Sequence, residues 1–458
     1  MKGQTISLEV LYLAEGIKNF NDITVDCQSF SFDKSDFGSG DFLCRNFRQL
    51  SGSFSMARVD FKTGNIDFSG SEFSSENKTF TGTNFGSGKV NFKNCNFNSG
   101  TVDFHFTIFG LCDLIFDRSI FGDGSVDFRA IEVESGKISF NRTKFGSGDK
   151  IFEASKFGES EIVFKNSDFG SGKINFNNLD ASLSSIQIIN VDLGTGNISF
   201  NQAKLNSLKI SETELNSFTD LRLSYCYNLD LSNIIIKDIV DLKPTCHKIE
   251  VQSLNLSGIR LLGKIYIDWD QLNLKELIKK QPVKENIKAE QFQLLKENFN
   301  TIGSYDEEDL AYIEFKRNFS IAKLQKKLSK CRKIFKPFHW ISYYMEKIIF
   351  DKMGHYGTNP IRVIQSMLII YLFFTFSFYF IDIYTSHHIC SSLFPADDPR
   401  VLSPLSRAFY HSIITFFTIG YGDYYPNGIL RVLSGLEGFI GMFLMSYFTV
   451  AFARKALR

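Results

Sequence analysis

From Phe68 to Phe176 a phenylalanine stands at every twelfth position: 68, 80, 92, 104, 116, 128, 140, 152, 164 and 176. Ile188 and Phe200 continue that column. A second one runs Phe73, Phe85, Phe97, Phe109, Phe121, Val133, Phe145, Phe157, Phe169, Ala181, Leu193 and Leu205. A fixed period of this length means small units stacked along one axis, none able to bury its apolar face alone. The unit reads F-G-S-G-K-[VI]-x-F-x-x-[STC]-x-F. Val90/Phe92 and Cys95/Phe97 alternate with the two-residue period of a strand, and Gly-Ser-Gly supplies a turn. The first proline is Pro244, which suits a long stretch whose backbone N–H groups feed one ladder.

A coil of twelve residues cannot enclose two Phe rings, because its opposite walls would collide. A coil of two repeats has room for four Phe and four smaller residues. The expected fold is therefore a quadrilateral β-helix, a β-solenoid, with Phe92, Phe104, Phe116 and Phe128 inside. Residues 32–205 make about seven coils, a rod on the order of 35 Å long at ~4.8 Å per strand. Residues 206–270 keep the alternation with a weaker period and read as a degenerate continuation and cap. The five-residue step from Phe92 to Phe97, with a small residue two before the second Phe, resembles the pentapeptide-repeat family over roughly residues 30–205. Each FGSG corner is two residues longer than that family's pattern.

The first half carries no visible chemistry. Its Gly-Ser-Gly-Lys segments lack the spacing and the following Ser/Thr of a phosphate loop, so they are corners. The eight Cys are scattered without a CxxC pair, which argues against a zinc site or a disulfide framework. Some pentapeptide-repeat proteins imitate DNA, but a net charge of −7 over residues 1–270 is weak for mimicry, and no nucleic-acid partner is expected. The N-terminal MKGQTISLEVLYLAEG has no long apolar core and does not read as a secretory signal.

Composition changes after Trp269, and residues 271–458 carry +8. The expected domains are the solenoid (1–270), a helical linker (271–336), an interfacial amphipathic helix (337–360) and a two-span unit (361–458). In the linker, Phe292, Leu295 and Phe299 share one helical face ended by Gly303. Ser304-x-x-Glu307 then opens a second helix as a capping box, with Leu310, Ile313 and Phe319 spaced for burial. Lys316–Lys336 contains nine Lys/Arg and no acid. An apolar stripe follows (Phe338, Ile341, Met345, Ile348, Ile349), with Trp340, Tyr343 and Tyr344 suited to the headgroup level. The strip Lys326, Lys327, Lys330, Arg332 and Lys333 is the candidate contact for anionic lipid.

Val363–Ile381 has no charge and is long enough to span about 30 Å of hydrocarbon. Ile429–Phe452 is a second such stretch, interrupted by Arg431 and Glu437. Between them, Ala408–Phe417 is apolar but too short to cross. Basic residues crowd before the first span and after the second, which predicts both termini on the cytoplasmic side of a cell (inner) membrane. No span carries the regularly spaced cations of a voltage sensor.

Thr418-Ile419-Gly420-Tyr421-Gly422-Asp423, closed by Pro426, is similar to the selectivity filter of potassium channels. Together with the short helix and its flanking spans, it makes residues 361–458 resemble two-helix inward-rectifier-like or prokaryotic potassium channels. The expected parts are an outer helix (361–384), a pore helix (405–417), the filter (418–423) and an inner helix (429–454). The whole chain resembles bacterial pentapeptide-repeat ion channels. The resemblance implies a homotetramer in which backbone carbonyls of four chains replace the hydration shell of K+. It places Gly441 at the hinge of the inner helix and Met442, Met445 and Thr449 on the cavity. Glu437 is either a functional charge or a partner of the pore helix. Phe417 stands where a second Thr is common, and Ile414 where some relatives carry Glu. The expected activity is passage of K+ with no catalysis, no organic cofactor and no metal beyond K+. The solenoid would be a regulatory domain or bind an unknown ligand or protein. A membrane-anchored solenoid scaffold is the alternative. His387-His388-x-Cys390 reads as a solvated turret rather than a metal site. Because the sequence ends soon after Phe452, signals from the solenoid are expected to reach the pore through the basic strip, residues 337–353 and Tyr356–Pro360, rather than from the end of the inner helix.

Overall fold

The computed structural model describes residues 18–244, 246–394, 399 and 401–457. The N-terminal stretch that reads as non-secretory lies outside them. The chain divides into two compact units, Met1–Ser304 and Tyr305–Arg458.

The first unit is the expected parallel β-solenoid. Lys18 pairs with Phe42, Val90 with Leu114 and Val126 with Lys150. Each offset is two repeats, so two repeats close one coil. Among the described residues, two faces are parallel sheets of eleven strands each. The other two are shorter ladders, among them Glu72↔Asn96↔Ile120 and Asp60↔Asn84↔Ile108. Inside, rings stack from coil to coil. Phe92 lies 5.0 Å from Phe68 and 5.0 Å from Phe116, each within 3° of parallel. Across the coil it meets Phe104 edge-on at 5.8 Å and 79°. Such geometry adds to the area term that aromatic burial provides.

The small residues of the repeat have a polar task. Thr143, Ser155 and Ser71 are buried, and their hydroxyls donate to the carbonyls of Phe116 (2.8 Å), Phe128 (2.7 Å) and Cys44 (2.8 Å) on the preceding coil. The sequence pattern conceals a second corner. The residue two after the Phe of the first column is left-handed in repeat after repeat, at Asn94 (φ 58), Phe106 (φ 58), Arg118 (φ 60) and Ala130 (φ 50). Non-glycine residues accept that strain where an i to i+3 hydrogen bond closes the turn, as from Cys95 N to the Phe92 carbonyl, Thr107 N to that of Phe104 and Ser119 N to that of Phe116. The glycine corners have a different cause. A Cβ on Gly124 would lie 1.8 Å from the Gly100 carbonyl, and one on Gly172 would lie 2.0 Å from that of Gly148. Successive coils approach too closely there for any side chain.

Past residue 205 the coil length changes. Ile198 pairs with Thr219 and Lys204 with Tyr225, whereas Tyr225 pairs with Glu250 and Val240 with Ile265. The shift begins at an irregularity between Ala181 and Ser185. Helices α1 (Leu274–Lys280) and α2 (Glu285–Ile302) follow. On the buried face of α2, Gln291 accepts from Leu256 N at 3.0 Å. Asn298 accepts from Ile265 N at 2.8 Å and donates to the Ile265 carbonyl at 2.8 Å. Phe292, Leu295 and Phe299 are fully buried as expected. The amides thus satisfy backbone groups of the last coil that would otherwise template another strand. Residues 271–304 accordingly belong to the solenoid unit rather than to a free linker beginning at residue 271.

The second unit is helical: α3 (Tyr305–Lys330), α4 (Lys336–Glu346), α5 (Pro360–Tyr384), α6 (Pro404–Phe416) and α7 (Leu430–Ala456). On α3, Ile313 is buried, but Leu310 and Phe319 are exposed. Its covered face is largely polar, with Glu308, Asp309, Glu314, Asn318 and Ser320. Apolar spacing misled there because ion pairs occupy the buried face. Arg317 reaches Glu314 at 2.8 Å and Asp351 at 2.7 Å. The expected interfacial helix is two pieces, α4 and a π-helical stretch Lys347–Lys352, with Phe338, Ile341, Met345 and Ile348 exposed along them. The chain then turns sharply through three consecutive left-handed residues, His355 (φ 48), Tyr356 (φ 57) and Gly357 (φ 78), before Pro360 opens α5.

Candidate functional site

The site lies between α5 and α7, the two helices among the described residues long and apolar enough to cross a membrane. Helix α6 starts on Ser403, whose hydroxyl accepts from Ser406 N, with Pro404 in the first turn. It has 13 residues, about 20 Å at 1.5 Å per residue, which is too short to span.

What ends α6 is a change of backbone handedness. Thr418 (φ 54), Gly420 (φ 60) and Gly422 (φ 78) are left-handed, while Ile419 and Tyr421 between them are not. Alternating handedness turns successive carbonyls toward the same side of the chain, a row of oxygens that a uniform strand or helix cannot present. Glycine supplies two of these positions without strain. Thr418 accepts it, with its N–H donating to the Thr415 carbonyl at 3.0 Å and its hydroxyl to that of Phe417 at 2.7 Å. The side chains of Ile419 and Tyr421 are exposed in the single chain.

A polar scaffold holds this segment. Tyr410 on α6 donates its hydroxyl to Asp423 at 2.8 Å, and Ser392 bonds the Gly422 carbonyl at 3.0 Å. Ile389–Ser391 pairs antiparallel with Tyr424–Pro426. At the C-terminal end of α5, buried Asp382 takes Arg407 of α6 at 2.5 Å and the Ile389 N–H at 3.0 Å. Behind α6, buried Glu437 accepts from the Ser412 hydroxyl, and His411 meets Ser434 at 2.8 Å. Glu437 is thus hydrogen-bonded to α6 through Ser412. The Asp382–Arg407 and Tyr410–Asp423 contacts escaped sequence reading. Their signal was a lone charge at the edge of an apolar stretch.

Gly441 is buried, and a Cβ there would lie 2.1 Å from the Phe416 carbonyl. α7 runs unbroken past it from Leu430 to Ala456. The glycine admits the end of α6 against α7, a steric role in addition to the hinge expected of it. Met442 and Thr449 are exposed and Met445 is half-buried in the single chain. The strip residues Lys326, Lys327, Lys330, Arg332 and Lys333 are all exposed. The first three line a cavity of about 420 Å³ with Lys323, Cys331 and His339. Outside the spans, burial pushes the Tyr356 hydroxyl up to about 12. Among the described residues no group of His, Cys, Asp and Glu could hold a metal ion. His388 instead contacts Asp382 at 3.3 Å.

Residues 366–458 match the family model described as "Ion channel". No curated protein and no solved structure matches the chain. The match covers most of α5, all of α6, the Thr418–Asp423 segment and α7, so this C-terminal stretch is similar to ion channels, and α5 and α7 within it are long and apolar enough to cross a membrane.

Proposed function

We infer that the protein is a homotetrameric potassium channel. The observation that carries this is the alternating handedness at Thr418, Gly420 and Gly422, placed directly after a helix too short to span. Four such segments around one axis give rings of carbonyls from Thr418, Ile419, Gly420 and Tyr421, with the Thr418 hydroxyl as the innermost ring. These oxygens substitute for the water around K+. The exposed side chains of Ile419 and Tyr421 would pack against neighbouring copies. Met442, Met445 and Thr449 would face the cavity below, and Gly441 is the candidate hinge. Both ends of the chain lie in the cytoplasm, and the solenoid is the regulatory or partner-binding part. The lysine-lined cavity at Lys326, Lys327 and Lys330, beside an exposed apolar face, supports contact of the strip with anionic lipid headgroups.

Purified protein in liposomes should take up ⁸⁶Rb⁺ against a K+ gradient and exclude Na+. Tyr421→Ala should abolish or degrade that selectivity. Equal permeability of the unaltered protein to K+ and Na+ would refute the assignment.

A further inference from the structure

The cytoplasmic end of the pore-lining helix is not free. Arg454, in the last turn of α7, reaches Asp309 of α3 at 3.0 Å and Glu308 at 3.8 Å, and its guanidinium lies 4.4 Å from the centre of the Tyr312 ring. Lys455 reaches Asp306 at 2.8 Å and Asp309 at 3.7 Å. Glu308 and Asp309 are buried, so their pairs with Arg454 are not solvated surface pairs of negligible strength, whereas the Lys455–Asp306 pair is exposed and adds little. The arrangement also has the right polarity twice over. Acids sit in the first turn of α3 and cations in the last turn of α7, each at the helix end that favours its charge. Farther up, Tyr447 of α7 donates to the Phe350 carbonyl at 3.1 Å. A Cβ on Gly354 would strike the Tyr447 ring at 2.7 Å. α7 is thus held laterally at the sharp bend and terminally by α3. Only Gly303 and Ser304 separate α3 from α2, the helix that caps the solenoid.

We propose that Asp306, Glu308, Asp309 and Tyr312 are positioning residues for the gate, clamping the inner-helix end through Arg454 and Lys455. This deepens the channel reading and rests on it. It replaces the longer route expected from the sequence with a direct one, since displacement of α3 is transmitted straight to the end of α7. Loss of the clamp changes the open fraction by the 5–150-fold typical of a coupling between sites, and leaves the filter, built from different residues, unaffected.

Two measurements on the full-length protein in liposomes test this. Amide hydrogen exchange of residues 448–456 needs no conduction, and ⁸⁶Rb⁺ flux reports the gate. Asp309→Asn keeps the shape and removes the charge. It should speed exchange in that segment and change flux at least fivefold, with Rb+/Na+ selectivity constant. Arg454→Asp should do the same, and Asp309→Arg with Arg454→Asp should restore both readouts toward the unaltered protein. Unchanged exchange in Asp309→Asn overturns the clamp whether or not the protein conducts. Faster exchange with unchanged flux in a conducting protein overturns its gating role alone. Faster exchange with no flux in any variant or in the unaltered protein overturns the channel reading, and the gating role falls with it.

Discussion

Two lysines sit where the repeat calls for Val or Ile. Lys150 occupies the aliphatic column between Val126 and Ile174, and Lys78 lies between Phe54 and Val102. Both side chains are buried, and each ammonium finds one corner carbonyl: Lys150 that of Gly146 at 2.8 Å, Lys78 that of Ser99. Burial pulls the Lys150 pKa from 10.5 down to about 8. The unfolded chain therefore binds more protons than the folded one between pH 8 and 10.5, so stability rises with pH across that window. Below it the folded state carries the full cost, at most about 3 kcal/mol for such a shift. Lys150→Ile removes the cost and gives up one hydrogen bond worth about 1 kcal/mol. The net expectation at pH 7 is a gain of about 2 kcal/mol, felt mainly in neighbouring coils because solenoid contacts are local. Unfolding of the full chain in detergent, followed by β-sheet circular dichroism, should show this advantage at pH 7 and its loss by pH 10.5. An advantage, or a deficit, of equal size at both pH values would refute the reasoning.

Phe92→Ala removes a ring stacked on both sides and should cost about 3–5 kcal/mol; the check is the same unfolding assay, with filter selectivity unchanged. Gly441→Ala should drive α6 and α7 apart and reduce ⁸⁶Rb⁺ flux, whereas Gly438→Ala, whose Cβ would lie 3.7 Å from the Thr415 carbonyl, should be tolerated. Neutralising Lys326, Lys327, Lys330, Arg332 and Lys333 together should change open probability in anionic but not neutral lipid, measured by bilayer recording, with K+ selectivity intact.

The twelve-residue period determined the solenoid because every repeat imposes the same two demands: a ring of fixed size inside and a chain reversal at a fixed place. Two repeats per coil followed from the volume of Phe alone. The backbone conformation of Thr418–Asp423 was equally legible at Gly420 and Gly422, since glycine positions reveal where the chain turns left-handed. Where the period fades after residue 205, sequence indicated a cap but not that α2 would supply it. That role rests on Gln291 and Asn298 meeting backbone groups of a coil more than thirty residues earlier. The buried face of α3 was misread for a related reason. Periodicity reports apolar burial, and that face is covered by charge. Whether Arg454 neutralises Asp309 is a question of two residues 145 apart in sequence coming within 3.0 Å. Local pattern carries no information about such a pair. Repetition and backbone chemistry are written residue by residue, but long-range pairing of single charges exists only once the helices have packed.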